Sequence, residues 1–359
     1  MEKLKEVMLI LTESCNLACR YCFEHYKNNK RMSFAIAKKI IDYEMTLDDD
    51  TSECRFTMFG GEPLLEFDLI KQIYDYIESN IEKWNKKVII FINTNGTLLD
   101  EEKKNWLRKR KKHIYCGLSL DGNRKMHNIN RSNSFDLIDL NFYKECWPDQ
   151  NVKMTVSKET LPFLAEGVIF IHEQGFECGC TFAYGINWDI ESVNVLRKQL
   201  EILIDYYSKH IDLKLCQILN IDLAELLRKK EEKYKRCGAG ELIKAYDTEG
   251  ELYPCHSFSP VGLGEVAKKY IDYKLPAEDI MEEDRCNNCD YLLICPTCYG
   301  VNLIYTGSIS KRSVGLCRLF KECVKASAII QLKRLEKKYE LNEHDYGTLL
   351  GIQKILIES

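Results

Sequence analysis

Three cysteines lie within one short polar loop near the N-terminus, in the stretch ESCNLACRYCF (13–23). Cys15, Cys19 and Cys22 have spacings typical of metal ligands, because thiolates bind iron–sulfur clusters and structural zinc. Single cysteines are common in protein cores, but three in one loop favour ligation. Three thiolates on a four-iron cluster leave one iron without a protein ligand. Structural zinc instead needs four ligands, and His25 is the only nearby residue that could supply the fourth. The loop therefore predicts a metal site with an open position, and a zinc site with His25 is the alternative.

Three other short motifs each follow a β-rich run, namely FGGEP (59–63), TNG (94–96) and SLDG (119–122). The paired glycines of the first lack a Cβ, so the main chain there can approach a ligand closely. The adjacent carboxylate of Glu62 suits an ammonium partner. Taken alone, Asn-Gly and Asp-Gly mark turns in any protein. Their positions after successive strands predict that they meet at one site.

A second cysteine field begins near residue 237, where periodic segments become few. Its spacing runs Cys-x17-Cys, then Cys-x2-Cys-x5-Cys-x2-Cys, then one more cysteine, and its members are Cys237, Cys255, Cys286, Cys289, Cys295, Cys298 and Cys317. Seven cysteines exceed the needs of one zinc ion, and the two Cys-x2-Cys pairs are closer together than those of a zinc ribbon. Metal sites therefore hold this field together. The other cysteines, among them Cys54, Cys116, Cys146, Cys178 and Cys180, are expected in or near the core.

The elements that position these residues alternate between β-rich runs and amphipathic helical stretches. The predicted strands are 6–12, 54–60, 87–95, 114–121, 152–157 and 178–185. Six β/α units predict an α/β fold, a partial (β/α)6 TIM-type barrel, with its chemistry at the carboxyl ends of the strands. The predicted domains are the barrel (1–215), a cysteine-rich auxiliary domain (216–325) and a C-terminal helical tail (326–359).

Composition excludes several classes of function. The chain has 359 residues and a net charge of -4 without a basic stripe, which argues against nucleic-acid binding. No apolar run is long enough to span a membrane. The N-terminal apolar run VMLIL is too short for a signal peptide, and 17 cysteines are better explained by metal ligation than by disulfides. We therefore expect a cytoplasmic protein.

The N-terminal motifs resemble those of the radical SAM enzymes, in which a Cys-x3-Cys-x2-Cys-aromatic stretch holds a [4Fe–4S] cluster whose open iron binds S-adenosylmethionine (SAM). The resemblance implies that the GGEP motif holds the SAM amino group, and that Asn95 and Ser119 contact its ribose and carboxylate. The stretch SLDGNRKMHNINR (119–131) resembles sulfatase-maturating and peptide-modifying members. The resemblance implies that Arg131 contacts the SAM carboxylate. For His127 it leaves two roles open, one in that site and one in the structure of the fold. The residues thus assigned to SAM and its cluster are Cys15, Cys19, Cys22, Phe23, Gly60, Gly61, Glu62, Pro63, Asn95, Ser119 and Arg131.

The second cysteine field resembles the SPASM extension of these enzymes, which carries auxiliary [4Fe–4S] clusters. The crossed connectivity of that family implies two ligand sets, Cys237, Cys255 and Cys298 for the first cluster, and Cys286, Cys289, Cys295 and Cys317 for the second. The last interval of the central motif is x2 here and x3 in the family. Either Cys216 or Cys323 completes the first set, or one of its irons stays open and can bind a substrate thiolate. The implied cofactors are SAM and three [4Fe–4S] clusters.

The resemblance implies that one electron from the reduced cluster cleaves SAM, and that the 5′-deoxyadenosyl radical abstracts hydrogen from the substrate. The favoured function is peptide maturation, in which a ribosomally made precursor peptide gains a cross-link, a cysteine thioether of the ranthipeptide or sactipeptide kind. Anaerobic sulfatase maturation, which oxidises cysteine or serine to formylglycine, is the first alternative. A non-catalytic iron–sulfur or zinc binding module is the alternative from another class. The expected partners are the precursor peptide and a reductant such as flavodoxin or ferredoxin.

Overall fold

A computed structural model describes residues 3–228, 237–276 and 281–357 of the chain. It confirms all six predicted strands within a few residues and adds two short ones. The strands are β1 (Leu4–Thr12), β2 (Glu53–Gly60), β3 (Lys87–Thr94), β4 (Ile114–Leu118), β5 (Asn151–Val156), β6 (Glu177–Phe182), β7 (Ile243–Tyr246) and β8 (Leu252–Tyr253).

The helices follow the predicted amphipathic stretches, and polar side chains cap several of their N-termini. They are α1 (Phe34–Thr46), α2 (Phe67–Asn80), α3 (Glu101–Arg108), α4 (Arg124–Asn130), α5 (Leu140–Cys146), α6 (Leu164–Glu173), α7 (Ile190–Lys209), α8 (Pro260–Leu263), α9 (Asp284–Asn287), α10 (Tyr299–Thr306), α11 (Val314–Leu335) and α12 (Glu343–Leu356). The hydroxyl of Ser33 accepts from the Ile36 N–H at the start of α1, and Asn342 forms a capping box with Asp345 at the start of α12. No helix in these ranges is long and apolar enough to cross a membrane.

The strands form two hydrogen-bonded sheets. The larger has the order β4-β3-β2-β1-β7-β8, in which all neighbours are parallel except β7 and β8. The smaller consists of the parallel pair β5 and β6. The predicted α/β class with parallel β/α units is therefore confirmed, and the six barrel strands divide between the two sheets as four and two.

The chain divides into two compact units, and the first contains residues 1–120, 131–150 and 238–275. It holds the larger sheet, whose central strands β1 and β2 contribute fully buried side chains to the core: Val7, Leu9, Phe56 and Met58 have 0% exposure. Strand β1 ends at Thr12, so the cysteine loop begins at the carboxyl edge of this parallel sheet. The same edge carries the residues that follow β2, β3 and β4, as the sequence predicted.

The second unit contains residues 121–130, 151–237 and 276–359. Helix α11 packs along α7 and against α12. One apolar cluster of this unit includes Leu223, Ile294, Val324 and Ile352. Most of the second cysteine field belongs to this unit, which therefore positions those thiols on α9, α11 and the segment between α9 and α10.

These units differ from the domain boundaries expected from the sequence. Residues 238–275 belong with the barrel strands, because β7 pairs in parallel with β1 and covers the edge that β1 would otherwise expose. The expected boundary between residues 325 and 326 falls inside the continuous helix α11. The pairing of β7 joins segments more than 200 residues apart, so periodicity in a local window does not reveal it.

Candidate SAM and iron–sulfur sites

The loop of Cys15, Cys19 and Cys22 leaves β1 at Thr12, and all three side chains are half-buried. The Cys15 sulfur accepts the Leu17 N–H at 3.5 Å, and the ammonium of Lys27 donates to the Cys22 sulfur at 3.2 Å. Burial raises the pKa of the Cys15 thiol, while the Leu17 N–H and the Lys27 charge act against that shift. Amide and ammonium donors aimed at sulfur suit thiolates that bind a metal.

The two glycines of the GGEP motif allow backbone to pack directly on backbone. A Cβ on Gly60 would lie 2.1 Å from the Thr12 oxygen, and a Cβ on Gly61 would lie 2.1 Å from the Ser14 oxygen. The Gly61 N–H donates to the Thr12 oxygen at 3.0 Å, and the Glu62 N–H donates to the Ser14 oxygen at 2.9 Å. The close approach predicted for a ligand is thus also needed by the chain itself, at the start of the cysteine loop.

Glu62 connects the ends of β2 and β3. Its side chain is 1% exposed, and its oxygens accept from the Thr94 hydroxyl at 2.6 Å, the Asn95 N–H at 2.8 Å and the Leu64 N–H at 3.0 Å. Burial raises the pKa of Glu62 to about 7, although these hydrogen bonds and the charge of Arg131 oppose the rise. Pro63 follows as the first residue of a short 3-10 turn. Glu62 therefore positions the two loops, and its predicted contact with the SAM amino group stays a prediction.

Asn95 connects the TNG loop to the cysteine loop. Its side-chain amide donates to the Asn16 side chain at 2.9 Å, and its oxygen accepts from the Thr97 N–H at 3.0 Å and the Thr97 hydroxyl at 2.7 Å. Asn16 in turn donates to the Thr97 hydroxyl at 2.8 Å. Sequence reasoning missed Asn16, although it lies between the first two cysteines. These contacts fix the loop that carries Cys15 and Cys19.

Ser119, Arg131 and Phe23 also lie in the first unit. The Ser119 N–H donates to the Thr94 oxygen at 3.0 Å, and Ser119 is 8% exposed. The guanidinium of Arg131 lies over the Tyr21 ring, 5.5 Å from its centroid. Phe23 packs edge-on against His256, with 5.6 Å between the ring centroids. The structure thus brings residues from the cysteine loop and from after β2, β3 and β4 to one edge of the sheet.

His127 has a structural environment in the second unit. It is fully buried, and its Nδ1 accepts the Asp121 N–H at 3.2 Å. The Asp121 carboxylate accepts from the Thr155 N–H at 2.8 Å and the Asn130 amide at 3.1 Å. These bonds favour the structural role that the sequence left open for His127.

Four thiols of the second unit are electrostatic neighbours, and they match the set assigned to the second auxiliary cluster. Burial raises the pKa of Cys295 to about 11, and the charge of Arg312 opposes that rise. The negative charges of three neighbouring thiolates raise the pKa of Cys295 further; they belong to Cys286, Cys289 and Cys317. Cys286 lies on α9 and Cys317 on α11, so the fold brings thiols from distant parts of the sequence together.

Arg312 supplies a buried positive charge to this group. It is 8% exposed, and its guanidinium donates to the Cys295 sulfur and, at 3.2 Å, to the Met281 sulfur. None of the ion pairs within the described ranges joins Arg312 to a carboxylate. A buried cation needs a counter-charge, and a cluster with four thiolate ligands is anionic. The donor set and its charge therefore fit an iron–sulfur cluster. Sequence reasoning missed Arg312, which belongs to no cysteine motif.

The first auxiliary set is divided between the units. Cys237 and Cys298 lie in the second unit, where Cys237 acts electrostatically on Cys298. Burial raises the pKa of Cys298, while N–H groups of Gly300 and Val301 at the start of α10 oppose the rise. Cys255 is buried in the first unit.

Cys216 and Cys323, the two candidates for a fourth ligand, are grouped with another thiol. Both are fully buried, and each has Cys180 as an electrostatic neighbour. Cys323 and Cys180 line a cavity of about 460 Å³ in the second unit, together with Cys295, Cys298 and Cys317. Cys216 is not among the residues that line this cavity. Cys323 is therefore the candidate that shares a cavity with Cys298.

Within residues 3–228, 237–276 and 281–357, no three Cys, His, Asp or Glu side chains already stand in the geometry of a metal site. His25 of the alternative zinc site has an exposed side chain. The metal-ligand assignments stay predictions that the charge and donor environment support.

Comparisons with known proteins agree with this arrangement. The family model described as the Radical SAM superfamily matches residues 9–139. An uncharacterised protein of Methanocaldococcus jannaschii is 30% identical over 260 residues, which are 70% of this chain and 85% of that protein. A cysteine-type anaerobic sulfatase-maturating enzyme of Clostridium novyi is 23% identical over 338 residues, 82% of this chain and 87% of its own. The solved structure of native anSMEcpe with bound AdoMet and Kp18Cys peptide has a TM-score of 0.68 at 18% identity, and covers 92% of this chain and 99% of that one; this similarity concerns the fold.

Proposed function

This chain belongs to the radical SAM superfamily, and on that premise we propose that it is an enzyme that modifies a peptide or protein substrate. The names of its relatives support this class of substrate. The Clostridium novyi relative is named for the maturation of sulfatases, which are proteins, and the solved structure of similar fold contains a peptide. The single observation that carries the proposal is the arrangement at the carboxyl edge of the larger sheet, where GGEP and TNG hold the cysteine loop through hydrogen bonds.

The chain's own residues bind and orient the cofactors. When bound, SAM and its [4Fe–4S] cluster supply a radical that abstracts hydrogen from an unactivated carbon. Cys15, Cys19 and Cys22 would hold the cluster, and the amides around Glu62 and Asn95 would keep the adjoining loops in place. Ser119 and Arg131 would bind the polar groups of SAM. Their low exposure keeps water away from these groups, which strengthens each polar contact.

We further propose the formation of a cysteine thioether in a ribosomally made precursor peptide. The motif assigns only three cysteines to the first auxiliary cluster, and both candidates for a fourth ligand are buried next to Cys180; this supports a cluster with three protein ligands. An iron without a protein ligand can accept the thiolate of a substrate cysteine. Sulfatase maturation is the second candidate, which the Clostridium novyi relative favours.

The proposed cofactors are SAM and three [4Fe–4S] clusters, two of them auxiliary. The charge of Arg312 beside Cys295 supports the second auxiliary cluster. A flavodoxin or ferredoxin would supply the electron, and we place the enzyme in the cytoplasm, where thiols stay reduced. A non-catalytic metal-binding module would need neither the GGEP motif nor its hydrogen bonds to the cysteine loop.

Anaerobic reconstitution followed by dithionite and SAM tests the enzymatic proposal. The wild-type protein should bind about twelve irons per chain, four for each cluster, and should release 5′-deoxyadenosine. Cys15→Ala, Cys19→Ala and Cys22→Ala should each abolish release but keep auxiliary iron. Cys146→Ala, which removes a buried cysteine of the first unit that is no predicted ligand, should keep release. Undiminished release in any variant of the three loop cysteines would refute the cluster assignment.

Mass spectrometry of the product separates the two candidate reactions. A cysteine-containing peptide encoded next to this gene should lose two hydrogen atoms and its free thiol when a thioether forms. A sulfatase peptide should instead exchange its thiol for an aldehyde, which a hydrazide probe captures. An aldehyde product in the second substrate, with the first unchanged, would replace the thioether proposal by sulfatase maturation.

A further inference from the structure

Lys27 lies outside every cysteine motif, yet its ammonium is within hydrogen-bond distance of a predicted cluster ligand. Its Nζ is 3.2 Å from the Cys22 sulfur. It also acts electrostatically on Cys15, so its charge affects two of the three ligands of the loop. The side chain is half-buried. Such a site has a lower effective dielectric than the surface, and water and salt screen the charge less.

The backbone on both sides of Lys27 is held in place. The Tyr26 N–H donates to the Val261 oxygen at 3.0 Å, and the Asn28 oxygen accepts from the Ser14 hydroxyl at 2.8 Å. Ser14 directly precedes Cys15, so the segment of Lys27 is attached to the loop that it faces. A surface lysine without such restraints would extend its ammonium into water. The backbone at Lys27 is therefore held beside the cysteine loop, and from there its side chain reaches the Cys22 sulfur.

Two carboxylates act on the groups around this ammonium and limit its effect. Glu24 is buried, and it acts electrostatically on both Lys27 and Cys15. Glu62 also acts on Cys15. Their charges oppose the addition of an electron to a cluster held by this loop. A cation in direct contact with one sulfur counteracts them at the shortest distance.

We propose that Lys27 is a positioning residue that raises the reduction potential of the SAM-binding cluster through its charged hydrogen bond to Cys22. The proposal rests on the assignment of that cluster to Cys15, Cys19 and Cys22. Reduction by dithionite adds one electron to the cluster, from the 2+ to the 1+ core. Lys27 keeps its proton, and no bond to it forms or breaks. The ammonium stabilises the added negative charge, since hydrogen bonds and net charge near the sulfurs set the potential of such clusters.

Lys30 provides a matched control for Lys27. It is a lysine three residues further along the same segment, but it is exposed and pairs with Glu249 at 2.6 Å. Its removal deletes the same charge from the same segment without deleting a contact to a ligand sulfur. Lys27→Arg keeps the charge, and Lys27→Gln keeps an N–H donor without the charge.

A redox titration followed by electron paramagnetic resonance tests the proposal on the full-length reconstituted protein. The signal to follow is the one that changes when SAM is added, because only a cluster with an open iron next to SAM responds. At a fixed potential, Lys27→Met should lower the ratio of reduced to oxidised cluster about tenfold, which corresponds to about 59 mV for one electron. Lys27→Gln should lower it in the same direction, whereas Lys27→Arg and Lys30→Met should stay within about threefold of the wild type.

The outcomes separate the role of Lys27 from the proposed function. A wild-type protein without a SAM-responsive signal would refute the cluster assignment and this inference with it. A wild-type signal with an unchanged potential in Lys27→Met would refute only the role of Lys27. If Lys27→Met loses its iron, Lys27→Gln decides, and a wild-type potential in that variant would show that the charge has no effect.

Discussion

Replacing Gly61 by alanine should separate the GGEP turn from the cysteine loop. The added Cβ would lie 2.1 Å from the Ser14 oxygen and 3.0 Å from the Cys15 nitrogen. Ordinary contact begins near 3.4 Å, so the two backbone segments must move apart by about 1.3 Å. Neither neighbour is a flexible side chain that could turn away. The movement therefore displaces the residue that carries the first predicted iron ligand.

The expected loss of stability follows from the contacts at this turn. A shift of that size breaks the bonds from the Gly61 and Glu62 N–H groups to the Thr12 and Ser14 oxygens, each contributing about 1 kcal/mol. Overpacking adds about 1–3 kcal/mol. The lower entropy of alanine in the unfolded chain offsets about 0.4–1 kcal/mol. Gly61→Ala should therefore lower the free energy of unfolding by about 2–5 kcal/mol.

Urea denaturation of the cluster-free protein measures this loss, and iron analysis after reconstitution measures its effect on the site. Gly61→Ala should bind about four irons fewer than the wild type, because one cluster has four. Gly175→Ala is the control, since no atom lies within 4 Å of the added Cβ although its φ is +83°. It should cost only about 1–2 kcal/mol from its backbone conformation and should keep all iron. Wild-type iron content and stability in Gly61→Ala would refute the packing argument.

Two other predictions concern charged groups. Because burial raises the pKa of Glu62 from 4.5 to about 7, the stability that protonation gives is present below pH 4.5 and is lost as the pH rises through 7. This group alone should lower the unfolding free energy of the cluster-free protein by about 3 kcal/mol between pH 4.5 and 8. Urea denaturation should therefore show that the stability of Glu62→Gln depends less steeply on pH than that of the wild type. An equal dependence in both proteins would contradict the raised pKa of Glu62. Arg312→Met should not lower the stability of the cluster-free protein, because it removes a buried charge that pairs with no carboxylate in the described ranges. It should nevertheless lower the auxiliary iron bound after reconstitution. Arg318→Met, at an exposed position of α11, should change neither, and full auxiliary iron in Arg312→Met would show that this guanidinium does not support the cluster.

The sequence predicted the strands well because their patterns are local. The runs that became β1 to β6 combine β-branched and apolar residues between turn signals, and each begins and ends within a few residues of its predicted bounds. The parallel order of the first four also follows from the helix-containing connection between each strand and the next. In contrast, the pairing of β7 with β1 depends on residues far apart in sequence, and β7 has only four residues with no periodic pattern of its own.

The candidate sites were predictable to different depths. Spacing singled out the cysteines as candidate ligands, since the chemistry of ligation restricts residue type. It could not identify Asn16, Lys27 or Arg312, whose types occur throughout the chain and whose meaning depends on a contact. The same limit applies to Glu62, for which the sequence suggested an ammonium partner. The structure gives its oxygens three protein donors, from Thr94, Asn95 and Leu64, and these arise from the ends of different strands.

The two cysteine sites in which a cation contacts a sulfur differ in the charges around that cation. Lys27 beside Cys22 shares its surroundings with the buried Glu24, and Glu62 acts on the same loop. Arg312 beside Cys295 has no carboxylate in ion-pair contact within the described ranges. Arg285, which lies near Cys286 and Cys317, is instead paired with Glu283 at 2.7 Å, so its charge is largely balanced. A carboxylate near a cluster disfavours an added electron, and an arginine favours it. The cysteine spacing thus predicts where iron binds, but the neighbouring charges decide how readily each site accepts an electron, and those charges become visible only once the chain is folded.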